Sequence, residues 1–432
     1  MYYDDSVIEQ STTQMLLQRL LPLLCLLAMA HMLNRLGLEY AARDMGPALG
    51  ITGAQFRFAG ILFDLGYLAA GLPAAWFLLR FGAPRWIGGI VLAWGAIALA
   101  HALLWDARSL YAMHLLLGAA EAGLVPAMVF YLAAWMPERH RSKAIAALIA
   151  ATTLVPLLGG PGSDLILLLG RWFGLPDWRF LFVIEGLPTL WIGLHVAWVL
   201  PRTPADASWL PASERHWLLD QLRRNVPSPA VATRFADGLR DAPTRKLAIM
   251  HGVIGLVGGS LGLWVPLAMQ RAGYVPPVIG TVIMVVAAVI GTAGTVAAGL
   301  LLDRRAQWCR ALAAGFVLAG ICLATAAVLP YGIAAVLALA IVACIAPAIL
   351  ALTWVLAPCL LAGAAAASGF ALLGITGMLG TLGAVGLAVV WHDATARCMI
   401  LAVACLAAAW LARKLEGSRP VGLSASAASP GE

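Results

Sequence analysis

The sequence predicts an all-α integral membrane protein whose twelve transmembrane helices form two six-helix bundles. Three observations carry this. Of the 432 residues, 62% are hydrophobic and only 11% charged, against about 25% charged in an ordinary soluble domain. With a mean hydropathy of +0.89, lipid must be the solvent for most of the chain. The apolar residues gather in runs of roughly 20, the length that crosses a bilayer as a helix. One long polar stretch, 201–246, divides the runs into equal halves.

In order, the runs are 20–42, 57–79, 86–105, 110–134, 144–169, 179–200, 247–270, 277–301, 310–330, 333–355, 365–390 and 395–412. Residues 1–19 precede them as an N-terminal segment whose Asp4, Asp5 and Glu9 do not suit a cleaved leader. The first bundle is 20–200, the linker 201–246 and the second bundle 247–412. The Ser/Ala/Pro-rich tail 413–432 reads as disordered. Gly and Pro recur inside the runs, which spanning helices tolerate. Small residues at Gly291/Thr295/Gly299 and Gly369/Gly377/Gly380 predict close helix approach. Within the linker, WLPASERHWLLDQLRR predicts a short amphipathic helix, opened by Pro211, with Glu214 in its first turn and Arg223 and Arg224 at its end. Trp86, Trp105, Trp135, Trp178, Trp308 and Trp391 fall at run ends and read as an interface belt.

The net charge of +7 does not mark a nucleic-acid binder, because the basic residues sit in short loops between apolar runs. They concentrate on one side: Arg80 and Arg85, then Arg139, Arg141 and Lys143, then the linker, then Arg304, Arg305 and Arg310, and finally Arg413 and Lys414. That asymmetry places both termini in the cytoplasm. The seven cysteines are scattered through apolar runs with no CxxC pair or Cys/His cluster, so no metal site, disulfide framework or cofactor is expected. No G-x-x-x-x-G-K-[ST] motif is present. The basic loop FLLRFGAPRW after the second run is echoed by GLLLDRRAQW after the eighth, a layout suited to two internal repeats.

Few ionisable residues enter the runs: Arg35, Glu39, Asp64, His114, Glu121, Asp164 and Glu185, nearly all in the first half. A charged side chain mid-bilayer costs about 2.5–3.5 kcal/mol on insertion scales and marks a functional candidate by default. Glu121 lies near the middle of the fourth run. A buried carboxyl favours its protonated form and a nearby cation its ionised form, so Glu121 is the leading proton carrier, with Asp64 and Glu39 behind it. Arg35 keeps its charge and offers a planar fork that fits a carboxylate bidentately. Arg35 and Glu39 are four apart and share a helix face; His114 and Glu121 are seven apart, two turns along another. His114 belongs to the one residue type that titrates near neutral pH unaided. His31, His195 and His251 stand alone and read as core or interfacial histidines. Trp264, before Val265 and Pro266, is a candidate to line a binding site.

The chain resembles the major facilitator superfamily and, within it, the anion:cation symporter family of organic-anion permeases. The likeness rests on FDLGY (63–67), LLGAAEAG (116–123), YLAAWMPERHRSKA (131–144), GGP (159–161), WRFLFVIEGLP (178–188), PRTPADASWL (201–210), the pair Asp303/Arg304 and WVLAPCLLAGAAAASGFAL (354–372). It covers most of residues 30–390. The resemblance implies two bundles rocking about a midplane site, a small organic anion as substrate, a proton as coupling ion, and the proton gradient as energy source in place of any cofactor. It implies that Arg35 binds the anion, that Glu121 couples the proton, and that Asp303 and Arg304 gate the cytoplasmic side; His114 and Trp264 are added as substrate-lining candidates from the residues themselves. A monomer in a bacterial inner membrane is expected. The departures are specific: Asn34 stands where the family carries aspartate, Gly37 and His114 where it carries asparagine and arginine, and Gly374 and Met378 where asparagines are common. Loss of the aspartate and the arginine together predicts a charge pair neutralised as a unit. Two other readings stay open: a proton antiporter exporting a cationic or hydrophobic compound, and a sensor that binds a ligand without moving it.

Overall fold

The computed structural model describes residues 5–153, 155, 177–224, 234–271, 277–302, 305–329, 333–391 and 393–417. Within these, the side chains of Asp5, Leu36, Glu39, Tyr40, Asp177, 263–271, 277–284 and Ile333 fall outside the description. Every regular element among the described residues is helical. Nine helical stretches among them are long and apolar enough to cross a membrane. They correspond to the first four runs, the sixth, and the ninth to twelfth. The fifth run begins in a described helix and continues past it, and the seventh and eighth lie in helices of 30 and 25 residues.

The first half comprises α1 (Asp5–Arg19), α2 (Leu21–Leu49), α3 (Gly53–Phe81), α4 (Ala83–His101), α5 (Ala107–Glu121), α6 (Leu124–Trp135), α7 (Glu138–Thr153) and α8 (Asp177–Val199). Local chemistry sets their ends. Thr52 and Gln55 form a reciprocal capping box at the start of α3. Gly82, at φ +81°, turns the chain sharply into α4, and Pro84 sits in that helix's first turn. Asp106 caps α5 by accepting the Ser109 N–H at 2.8 Å, and that bond holds its carboxyl below the usual range.

The fourth run breaks in two. α5 stops at Glu121 and α6 begins at Leu124. Pro126 has no N–H to give the carbonyl of Ala122, while Ala122 and Gly123 keep right-handed helical dihedrals. The helical bonding resumes when the Ala127 N–H reaches the Gly123 carbonyl at 3.0 Å. The basic loop expected after this run is itself helical from Glu138, so Arg139, Arg141 and Lys143 stand on the first turns of α7.

The linker carries α9 (Ala212–Arg224), the amphipathic helix expected there, and a second short helix, α10 (Phe235–Arg240). The sequence reading places no helix in 1–19; the structure has α1 there, docked on the linker, with the Ser11 hydroxyl donating to Glu214 at 3.4 Å and His140 3.3 Å from Glu9. The second half runs α11 (Ala242–Arg271), α12 (Pro277–Leu301), α13 (Arg305–Val328), α14 (Ile333–Leu356), α15 (Gly363–Val390) and α16 (Ala394–Glu416).

Contacts divide the helices into two bundles. In the first, α3 lies on α5, α4 on α8, and α2 on α7 and α8; in the second, α11 lies on α15, and α13 on α14 and α16. The bundles meet where α3 and α6 touch α15 and where α7 touches α12 and α14. The seam is made of small residues and a few polar ones. The Thr153 and Thr292 hydroxyls bond at 2.6 Å, Gly299 packs on Ala146, and Phe130 meets Phe370 edge to face at 6.5 Å. The Tyr67 hydroxyl stands 3.1 Å from where a Cβ on Gly374 would be, so the missing side chain at 374 admits the tyrosine.

The tryptophan belt needs correction. Trp105 and Trp391 are exposed, but Trp135, Trp178 and Trp308 are buried. Trp135 stacks on Trp209 of the linker at 6.3 Å, and the Trp308 indole donates to the Leu302 carbonyl at 2.7 Å. These rings anchor helix ends to neighbouring protein instead of to headgroups.

Candidate functional site

The charges of the first bundle converge from four helices. α3 and α5 cross with their backbones in near contact: a Cβ on Gly66 would strike the Leu115 carbonyl, and one on Gly118 the Phe63 carbonyl. This crossing sets Phe63 and Asp64 one turn from Glu121. Arg35 reaches in from α2, its guanidinium 4.0 Å from the Asp64 carboxylate and 4.8 Å from the centre of the Phe63 ring. A cation over an aromatic face beside a carboxylate is held by quadrupole and charge together. The Arg35 side chain keeps 36% of its surface open while Asp64 keeps 10%, so the guanidinium retains donors that a ligand can reach.

Glu121 is sealed, with none of its side-chain surface exposed. Its partner is His31, whose Nε2 lies 2.9 Å from Oε2. That is an ion-pair distance without the alignment of a directional hydrogen bond, and neither Glu121 oxygen has a hydrogen-bond donor among the described residues. His31 and Arg35 are one turn apart on α2, so the carboxylate on α5 and the guanidinium's site share one helix face. The hydroxyl end of Tyr67 lies within electrostatic range of both Arg35 and Glu121.

A second strand of polar contacts leads away from this face. The Trp94 indole, edge-on to the His31 ring at 5.9 Å, donates to Asn34 Oδ1 at 3.0 Å. That bond fixes the amide so that Asn34 Nδ2 points at Glu185, donating to Oε2 at 3.3 Å. Gly37 completes the arrangement, because any Cβ there would run into the Glu185 carboxyl. Glu185 thus has a built pocket on α2.

His114 does not join Arg35. Its Nδ1 donates to the Leu110 carbonyl at 3.0 Å and its ring packs edge-on against His101 at 5.2 Å, with Phe182 beyond. The ring is spent on packing between α4, α5 and α8, which corrects its placement at a substrate. Asn34 and His114 each have other partners. Glu39 and Trp264 have side chains outside the description, and Asp303, Arg304 and Asp164 lie outside the described residues. His31 was read as a lone core histidine; its four-residue spacing to Arg35 was the available signal. His251 likewise has a partner: its Nδ1 lies 2.7 Å from the Thr353 hydroxyl, which itself donates to the Leu350 carbonyl at 2.6 Å. Among the described residues no group of three or more His, Cys, Asp or Glu could hold a metal.

Two helical bundles, a seam of small residues and a charge cluster in one bundle's core define a polytopic membrane protein. Residues 24–385 match the Major Facilitator Superfamily. The chain belongs to that family. It is 30% identical over 272 residues to a protein of Agrobacterium vitis named "Putative tartrate transporter", covering 62% of each chain. It is 30% identical over 258 residues to a quinolone resistance transporter of Acinetobacter baumannii, covering 59% of each. These matches span less than two thirds of the relatives' lengths. Among solved structures, the proton:xylose symporter XylE superposes with a TM-score of 0.71 at 15% identity, over 93% of this chain and 96% of that one; this likeness concerns the fold.

Proposed function

We propose that the protein takes up a small organic carboxylate together with a proton, by alternating access of the two bundles. The observation that carries this reading is the arrangement around Arg35: an accessible guanidinium beside Asp64, one helical turn from a sealed Glu121–His31 pair. An anion has a fixed, fork-shaped cation to bind, and the proton has titratable groups next to it but apart from solvent. Among the described side chains, the core of this bundle holds Asp64, Glu121 and Glu185 against the single guanidinium of Arg35. Buried carboxylates without countercharge are costly, and such an excess of carboxyl groups over fixed cations suits a proton-driven carrier. The tartrate named for the Agrobacterium vitis relative supports a hydroxy-acid substrate. The charge asymmetry of the loops supports cytoplasmic termini in a bacterial inner membrane, and the enclosed seam supports a monomer as the working unit. Glu39 and Trp264 remain candidates on the same reading, as coupling and lining groups.

The test is uptake by the purified full chain in proteoliposomes, acid outside, across sugar, hydroxy and aromatic carboxylates. Accumulation of one carboxylate that collapses when a protonophore dissipates the gradient is the expected result. Outward movement of cations against protons would replace it with the antiport reading, which the quinolone resistance relative favours. Asp303 and Arg304 are proposed as a gate on the cytoplasmic side. Asp303→Ala should change the transport rate and the accessibility of cysteines placed at the seam, and a variant with wild-type values for both removes the gate from the scheme.

A further inference from the structure

Resting on that reading, we propose that His31 is half of the proton-binding element, and that protonation of the His31–Glu121 pair is what tunes Arg35 for its anion. The 2.9 Å contact joins two buried groups that can share one proton. With one proton the pair is neutral; with a second it is a net cation. His31 stands one turn before Arg35 on the same face of α2, about 5–6 Å apart at Cβ for that spacing. Each proton taken up therefore adds a positive charge within a turn of the anion's ligand, in a medium where charges act strongly. The anion and the proton then bind cooperatively, each raising the other's affinity by the same factor. On the side where the proton leaves, the anion's site weakens and releases it.

The surroundings leave the pair as the responsive element. α2 itself contributes Arg35, and α3 contributes Asp64, already at the guanidinium, and Tyr67, in range of both Arg35 and Glu121. From α4, Trp94 faces His31 edge-on, and His101 is within electrostatic range of Glu121 but bonds the Ile97 carbonyl through Nδ1. On α5, His114 is bonded to Leu110 and packed on His101. From α8, Glu185 is engaged by Asn34. Against α2, the described part of α7 presents ionisable groups only in its first turns, from Glu138 to Lys143.

The experiment compares acid-driven accumulation with equal-pH exchange of tartrate in proteoliposomes holding wild type or His31→Gln. Exchange requires binding and rocking but no net proton movement. The expected result is an accumulation loss of about tenfold or more, with exchange reduced by less than about threefold and the rise of the exchange KM with pH weakened or moved to another pH range, a coupling within the usual range for linked sites. Equal losses in both assays assign His31 a merely structural role and overturn the proposal, as does an unaltered pH profile. Should His31→Gln not insert, Glu121→Gln serves: its exchange KM must still rise with pH, and a flat profile overturns the proposal. A wild type that accumulates no carboxylate under an acid-outside gradient overturns the symport reading itself, a result distinct from wild-type behaviour of the His31 variant.

Discussion

Arg35→Ala should lower carboxylate uptake, as kcat/KM, by about 30- to 150-fold, the equivalent of about 2–3 kcal/mol for a hydrogen-bonded charge. The substitution removes the one fixed cation described in the core of the first bundle, and it leaves Asp64 without the guanidinium 4.0 Å away. Arg35→Lys separates the two contributions. Lysine keeps the charge but loses the planar fork and the stacking over Phe63, so about a tenfold loss is expected. Uptake by Arg35→Ala equal to wild type would falsify the placement of the anion. The loss should appear in exchange as well as in accumulation, which distinguishes a binding residue from the proton-linked His31.

Gly118→Leu should cost about 3 kcal/mol or more of stability, at or beyond the upper end of overpacking effects. The side chain would enter the space of the Phe63 carbonyl. Because the obstacle is backbone, no rotamer change relieves it, and α3 and α5 must separate. Separation would also pull Asp64 and Phe63 away from Glu121, so transport should be lost even in molecules that insert. The control is Gly89→Ala on α4, where a Cβ meets nothing within 4 Å and the helix gains propensity. Thermal unfolding in detergent should place Gly118→Leu well below wild type and Gly89→Ala at or slightly above it. Equal midpoints for the two variants would show that the crossing does not hold the bundle together.

The fold was legible because membrane-length hydrophobicity is a local property. A run of twenty apolar residues declares a helix wherever its neighbours lie, and Pro211 with Glu214 declares the start of α9 in the same way. What composition cannot tell is which face of a spanning helix meets lipid and which meets protein. Trp135, Trp178 and Trp308 at run ends satisfy both descriptions, and burial decides for protein. The site was legible where charge alone is costly enough to be informative, at Arg35, Asp64 and Glu121. Its pairing was not. Glu121 and His114 share a helix face, yet the partner of Glu121 is His31, some 90 positions away on another helix, and nothing in either segment encodes how α2 is rotated against α5. The same blindness hid Glu185, whose pocket is made of absences: an amide where a carboxylate is usual at Asn34, and no side chain at Gly37.

The interruption between α5 and α6 has a mechanical consequence. Bending an intact helix breaks backbone bonds, each of which must then find water or another donor inside the membrane. In the fourth span that expense is already met: Pro126 offers no N–H to the Ala122 carbonyl, and two residues stand outside either helix. The span thus keeps a helical path through Ala122 and Gly123 but has a weak point in its bonding there. One arm ends on Glu121, against His31; the other carries Phe130 to the seam with α15. On the proposed alternating-access reading, the arms change their mutual angle at little cost, and Glu121, at the joint, travels least.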